Sequence, residues 1–268
     1  MRKNAWVICC CTAVLSAFGI FFRWLQDQAC FEAETGLAVH GSIWPYVVAL
    51  MIAVAAAVLA VMCFRVKNQP HTSFPDSLPA AFAASKRARA VGGVLLGAML
   101  ALGGLWLLLS SGALSAPGLQ RVLAVLAVVM GVVFARQMLA PGERENDAGA
   151  LVCASMPMVL LVFWLIVSYK VNIINPTISA YAVEILALCA ALIAFYELAG
   201  FVYGRPKAVK SIFWSQFAAF LCITALPDDR AGAQQLMLVA IAGMLLFQSY
   251  LTASNIRPAV SGPAGGAQ

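Results

Sequence analysis

The chain has 268 residues, of which 63% are apolar and only 10% are charged. A soluble globular domain carries about a quarter charged residues, so a water-soluble enzyme or nucleic-acid binder is excluded and a polytopic membrane protein is expected. The net charge of +6 is spread over short segments between apolar runs, which makes it a signal of orientation in a bilayer rather than of an acidic partner.

A spanning helix needs about 20 mostly apolar residues. Eight segments qualify, in chain order 5–22, 43–64, 91–110, 119–139, 151–169, 178–203, 211–226 and 234–252. The first follows Arg2 and Lys3 but lacks a small-x-small cleavage site, so it reads as a retained helix rather than a signal peptide. The segment 211–226 is the shortest and is expected to stop at Pro227. Short connections imply antiparallel neighbours. The expected fold is therefore an all-α integral membrane bundle of eight transmembrane helices.

Two connections are longer. Segment 23–42 carries Asp27, Glu32, Glu34 and His40. Segment 65–90 carries Pro70, Pro75 and Pro79, then Phe74, Leu78 and Phe82 at four-residue spacing, then the basic run Lys86-Arg87-Ala88-Arg89. That pattern fits a short amphipathic helix lying on anionic headgroups, or a solvated linker. The tail 253–268, rich in Gly, Pro and Ala, is expected to be disordered.

Arg23, Arg121, Lys170 and Arg230 fall on one side of this topology and the other thirteen basic residues on the other. The positive-inside rule then places both termini in the cytoplasm. Trp24, Trp44, Trp106 and Trp164 lie towards the outer helix ends, and Trp6 and Trp214 towards the inner ends, as expected of headgroup-level anchors.

Small residues permit close helix approach in lipid. They recur as Ala49, Ala53 and Ala57 in the second span, Gly93, Gly97 and Gly104 in the third, and Ala124, Ala127, Gly131 and Ala135 in the fourth. Packing within the bundle is the first expectation. Association with a second copy or a partner subunit through the Gly93/Gly97 face is the alternative.

Glu184 and Glu197 are the acids well inside a span. A carboxylate at bilayer depth costs about 2.5–3.5 kcal/mol at the centre, so each should face protein or water, or be protonated. They lie 13 residues apart, roughly 20 Å of rise and about 140° of rotation, and form no paired site. Lys170 or Arg121 could reach Glu184, and Gln216 lies at the depth of Glu197. Glu184, Glu197 and Gln216 are accordingly the candidate substrate-binding residues, with interhelical hydrogen bonding as the structural alternative. Asp228-Asp229-Arg230 reads as a solvated turn, as do Asn172 and Asn175 before Pro176.

The eight cysteines show no CxxC, and the two histidines, His40 and His71, lie outside the spans. No metal or cofactor site is expected. Cys9, Cys10 and Cys11 read as packing residues, with palmitoylation the alternative. The intramembrane histidines of CAAX-type and rhomboid proteases, the DGxxAR of CDP-alcohol transferases, the Walker loop and GxGxxG are all absent. An enzyme is not expected.

Arg23-Trp24-Leu25-Gln26 followed by Phe31-Glu32-Ala33-Glu34-Thr35-Gly36-Leu37 resembles a group of small polytopic bacterial membrane proteins. The resemblance implies a multi-pass protein of the bacterial plasma membrane and carries no mechanism. The leading expectation is a small permease or the membrane subunit of a transporter. A non-transporting module that senses, scaffolds or assists assembly is the second reading, and a membrane enzyme a distant third. The expected partner is the lipid bilayer, with no nucleic acid.

Overall fold

The computed structural model describes residues 2–30, 41–68, 72–113, 116–140, 148–173, 178, 181–228 and 230–258. Nine α-helices occur among them: α1 (Arg2–Cys30), α2 (Trp44–Lys67), α3 (Leu78–Ala81), α4 (Lys86–Ser110), α5 (Pro117–Leu139), α6 (Ala148–Asn172), α7 (Ala182–Ala199), α8 (Ala208–Thr224) and α9 (Gly232–Ser254). Seven of these, all but α3 and α8, are long and apolar enough to cross a membrane. The chain is an all-helical, multi-pass membrane protein. Glu32, Glu34, His40, Pro70, His71, Asn175, Pro176 and Asp229 lie outside the described residues.

The long helices alternate up and down. One end of the bundle, here the Trp44 end, gathers the C-termini of α1, α4, α6 and α8 and the N-termini of α2, α5, α7 and α9. Side-chain bonds there tie Cys30 to Ser42 and Gln234 to Gln120. At the opposite Lys67 end, Asn255 donates to the Ala81 carbonyl and Arg89 to that of Met138.

α8 is 17 residues long, roughly 26 Å of rise against a hydrocarbon core of about 30 Å. It is the central helix: α7, α9, α1 and α2 pack around it, and most of its side chains are buried. Surrounded by protein, it has no need to match the lipid thickness on its own.

α4 lies between α5 and α9 and touches both by backbone. A Cβ on Gly97 would collide with the Gly131 carbonyl oxygen, and one on Gly104 would sit 2.7 Å from the Ala124 oxygen. The Gly93 and Gly97 positions thus pack against α5 within the chain. The Ala124, Ala127 and Gly131 stripe supplies the other half of that contact. The Ala49, Ala53 and Ala57 stripe of α2 behaves differently, because all three alanines are exposed.

Several boundaries depart from expectation. α1 runs to Cys30 rather than stopping at residue 22, since no Gly or Pro follows Gly19 until Gly36 and nothing breaks the helix. α6 is longer than 151–169, and α7 is shorter than 178–203, ending where Gly200 caps it. The 65–90 segment is neither a surface helix nor a free linker. Between the end of α2 at Lys67 and the start of α4 at Lys86, only Leu78–Ala81 is helical among the described residues, and Leu78 and Phe82 are buried in the main core. Arg89, expected to face headgroups, instead donates to the Met138 and Phe82 carbonyls at 2.7 and 3.2 Å, satisfying acceptors left over at a helix end. Part of the expected tail belongs to the fold: α9 ends at Ser254, and Arg257–Pro258 pairs antiparallel with Thr72–Ser73, while 259–268 lie outside the described residues.

Candidate functional site

Two polar regions lie within the bundle. The first is an ion network at the Trp44 end. Arg23, on the extended turns of α1, is 2% exposed. Its Nε donates to Asp228 Oδ1 at 2.5 Å and its Nη1 to Gln26 Oε1 at 2.8 Å. Gln26 lies one helical turn on, so the pair shares a face. Arg230 Nη2 donates to the second Asp228 oxygen and stands 3.5 Å from Glu184 Oε2. Trp164 Nε1 donates to Glu184 Oε1 at 3.1 Å, and Ser168 also bonds that carboxyl. Gln235 steadies the turn by donating to the Leu226 carbonyl at 3.2 Å. Among the described residues, four helices and one turn therefore converge on the ion pairs of Arg23, Arg230, Asp228 and Glu184, with Asp27 close enough to act on Asp228.

Balance is what makes such burial tolerable, because an unpaired ion in this medium would cost several kcal/mol. Burial pushes the Asp228 carboxyl above the ordinary aspartate value, and the Arg23 and Arg230 guanidiniums oppose it. Asp228 is thus no solvated turn. Glu184 finds Arg230 rather than Lys170 or Arg121; Arg121 turns its Nε to Ser111 at 3.3 Å. Trp164, expected as a headgroup anchor, is fully buried, whereas Trp6, Trp24 and Trp106 are exposed.

The second region lies between α1, α8 and α9. Gln216 Nε2 donates to Ser249 Oγ at 2.9 Å and to Cys9 Sγ at 3.3 Å. It does not meet Glu197. Similar depth places two residues on one level, but helical phase decides which neighbour each faces, and Gln216 faces α1 and α9 while Glu197 is half-buried on α7. Four hydroxyls nearby bond back to their own helices: Thr12 to Ile8, Ser16 to Thr12, Thr224 to Phe220 and Thr252 to Gln248. Four other oxygens are buried without a partner among the described residues: Ser211 Oγ, Ser215 Oγ, Gln216 Oε1 and Gln248 Oε1. Native interiors leave few such atoms, and each calls for an explanation.

Of the three candidates read from the sequence, Glu184 joins the ion network, Gln216 joins the orphaned oxygens, and Glu197 joins neither. Arg23 and Asp228 escaped the sequence reading. The uninterrupted helix through 19–30 was a usable signal for Arg23, since it carries the arginine beyond the apolar run without leaving the bundle. All eight cysteines are free thiols, and no cluster of metal-ligating side chains occurs among the described residues.

No protein-family model, curated protein or solved structure matches the chain.

Proposed function

We propose that the protein is a small permease, or the membrane subunit of a transporter, in the bacterial plasma membrane. In this reading α8 counts as an eighth span and both termini are cytoplasmic, as the distribution of basic residues supports. The observation that carries the proposal is the set of unpartnered oxygens on α8 and α9, deep in a bundle whose lipid surroundings penalise every such atom. All four are hydroxyl or amide-carbonyl oxygens, a donor set suited to a hard monovalent cation or a hydrated polar solute. Three of them lie along the central helix, whose far end reaches the Asp228 network, and the fourth, Gln248, lies on the adjoining α9. The proposal is for passage rather than catalysis, and it invokes no cofactor.

Purified protein in liposomes tests this. Sodium, potassium and proton fluxes would be followed with entrapped ion-sensitive dyes. Flux above protein-free vesicles that falls when Ser215→Ala and Gln216→Leu are combined, at unchanged thermal stability, is the expected outcome. Vesicles no leakier than the protein-free control to all three ions would end the cation reading.

The second reading, a non-transporting module, draws support from the mutual pairing of Arg23, Asp228, Arg230 and Glu184 in the ion network. It predicts that Glu184→Gln leaves cellular phenotype and expression intact. Orientation has a separate test. Cys30 is buried and bonded to Ser42 at 2.8 Å, so it is a poor labelling site. Exposed Lys86 and Gly118 lie at opposite ends. In a cysteine-free background, an impermeant maleimide applied to intact cells should label Gly118→Cys and spare Lys86→Cys.

A further inference from the structure

Acids outnumber guanidiniums in the ion network. Arg23 and Arg230 supply two positive charges, against the carboxyls of Asp228, Glu184 and Asp27, the last one turn beyond Arg23 on α1. The side chains of Arg230, Asp228 and Glu184 are only 6%, 5% and 7% exposed. An uncompensated charge at such depth costs several kcal/mol, and a carboxylate sheds that cost by taking a proton. With one proton bound, two ionised acids face two guanidiniums and the charges cancel.

The hydrogen bonds single out the acid that takes it. The two Asp228 oxygens accept from different arginines, the arrangement of an ionised carboxylate. Asp27 is only half-buried. Glu184 is held by neutral donors instead: Trp164 Nε1 donates to Oε1 at 3.1 Å, and Ser168 bonds the same carboxyl. Arg230 Nη2 stands 3.5 Å from Glu184 Oε2, beyond a charge-assisted hydrogen bond, while the neighbouring Nη1 is buried with no partner at all. An ionised carboxylate beside an idle guanidinium nitrogen would close to about 2.7–2.9 Å and use it. A neutral carboxyl lacks that pull, and its O–H can donate to the Ser168 hydroxyl.

The groups that act on Glu184 come from every neighbouring element. Trp164 and Ser168 belong to α6, and Asp228 and Arg230 to the turn between α8 and α9. The Cys222 thiol of α8 lies within the field of Arg230, and Arg23 and Asp27 of α1 act through Asp228.

We propose that Glu184 is a proton-binding site. The geometry described is its protonated form. On losing the proton to water, the carboxylate moves about 0.7 Å towards Arg230 and takes up Nη1. That step draws the first turn of α7 against the α8–α9 turn, so packing at the Trp44 end follows pH. The site is independent of the passage proposed along α8, and either reading can fail alone.

The test uses full-length protein reconstituted in lipid and followed by infrared difference spectroscopy as pH is raised. The wild type should show the C=O stretch of a carboxylic acid at neutral pH, replaced by carboxylate absorption at higher pH. Glu184→Gln should lack that band. Asp27→Asn removes one negative charge without touching Glu184 and should weaken proton binding about tenfold, read as an earlier loss of the band on raising pH. Thermal stability in detergent serves as the folding control for both variants. Absence of the band from the wild type at neutral pH, or its persistence in Glu184→Gln, would overturn the site. An unchanged titration in Asp27→Asn would overturn the charge count on which it rests.

Discussion

The α4–α5 pair and the α2–α7 side of the bundle start from the same material and end differently. Both present small residues every fourth position. On α4 they meet a facing row of equally small residues on α5, and the backbones close to contact at Gly97–Gly131 and Gly104–Ala124. On α2 the alanines look across at Val183 and Leu186, and a groove remains. A small-residue stripe therefore marks close packing only where the opposing helix supplies its complement. On its own it marks room.

The ion network sits at the end of the open side, and the largest expected effect comes from cutting it. Asp228→Ala leaves Arg23 buried without its carboxylate and should cost about 3–5 kcal/mol, read as a fall in detergent unfolding temperature. Combining it with Arg23→Met should recover much of that loss, which a purely steric role for Asp228 would not allow. On the closed side, Gly97→Leu drives a side chain into the α5 backbone and should cost about 1–3 kcal/mol or more, visible as aggregation in size-exclusion chromatography. Glu184→Gln keeps an acceptor for Trp164 and leaves Arg230 its bond to Asp228, so about 1.5 kcal/mol is expected. The smallest effect returns to the groove: Ala53→Leu should change stability by less than about 0.5 kcal/mol. A penalty there equal to that of Gly97→Leu would mean that the two sides are packed alike and that the contrast is false.

Much of the architecture was legible because lipid leaves few options. Apolar runs of spanning length must be helices, and short connections must make them antiparallel. The small-residue stripes carrying Gly93, Gly97 and Gly131 were readable as close-packing faces, but that they face each other was not. Pairings between distant charges were not readable. Arg23 and Asp228 each look like surface residues beside an apolar run, and their partnership depends on which helices adjoin in three dimensions. Gln216 shows the same limit, for its depth was readable and its direction was not. The 65–90 segment misled because Phe74, Leu78 and Phe82 are spaced as well for burial against the bundle as for burial in headgroups.

The short ladder between Thr72–Ser73 and Arg257–Pro258, with the Asn255 bond to Ala81, joins parts of the chain that are made at opposite times. During synthesis α2 and the Leu78–Phe82 segment emerge early, whereas α9, which that segment packs against, follows all the other long helices among the described residues. Until then the apolar plug at the Lys67 end lacks its strap, so a nascent chain stalled before α9 would present Phe82 to chaperones and membrane proteases. The final turns of α9 thus close the Lys67 end of the bundle over the Leu78–Phe82 segment.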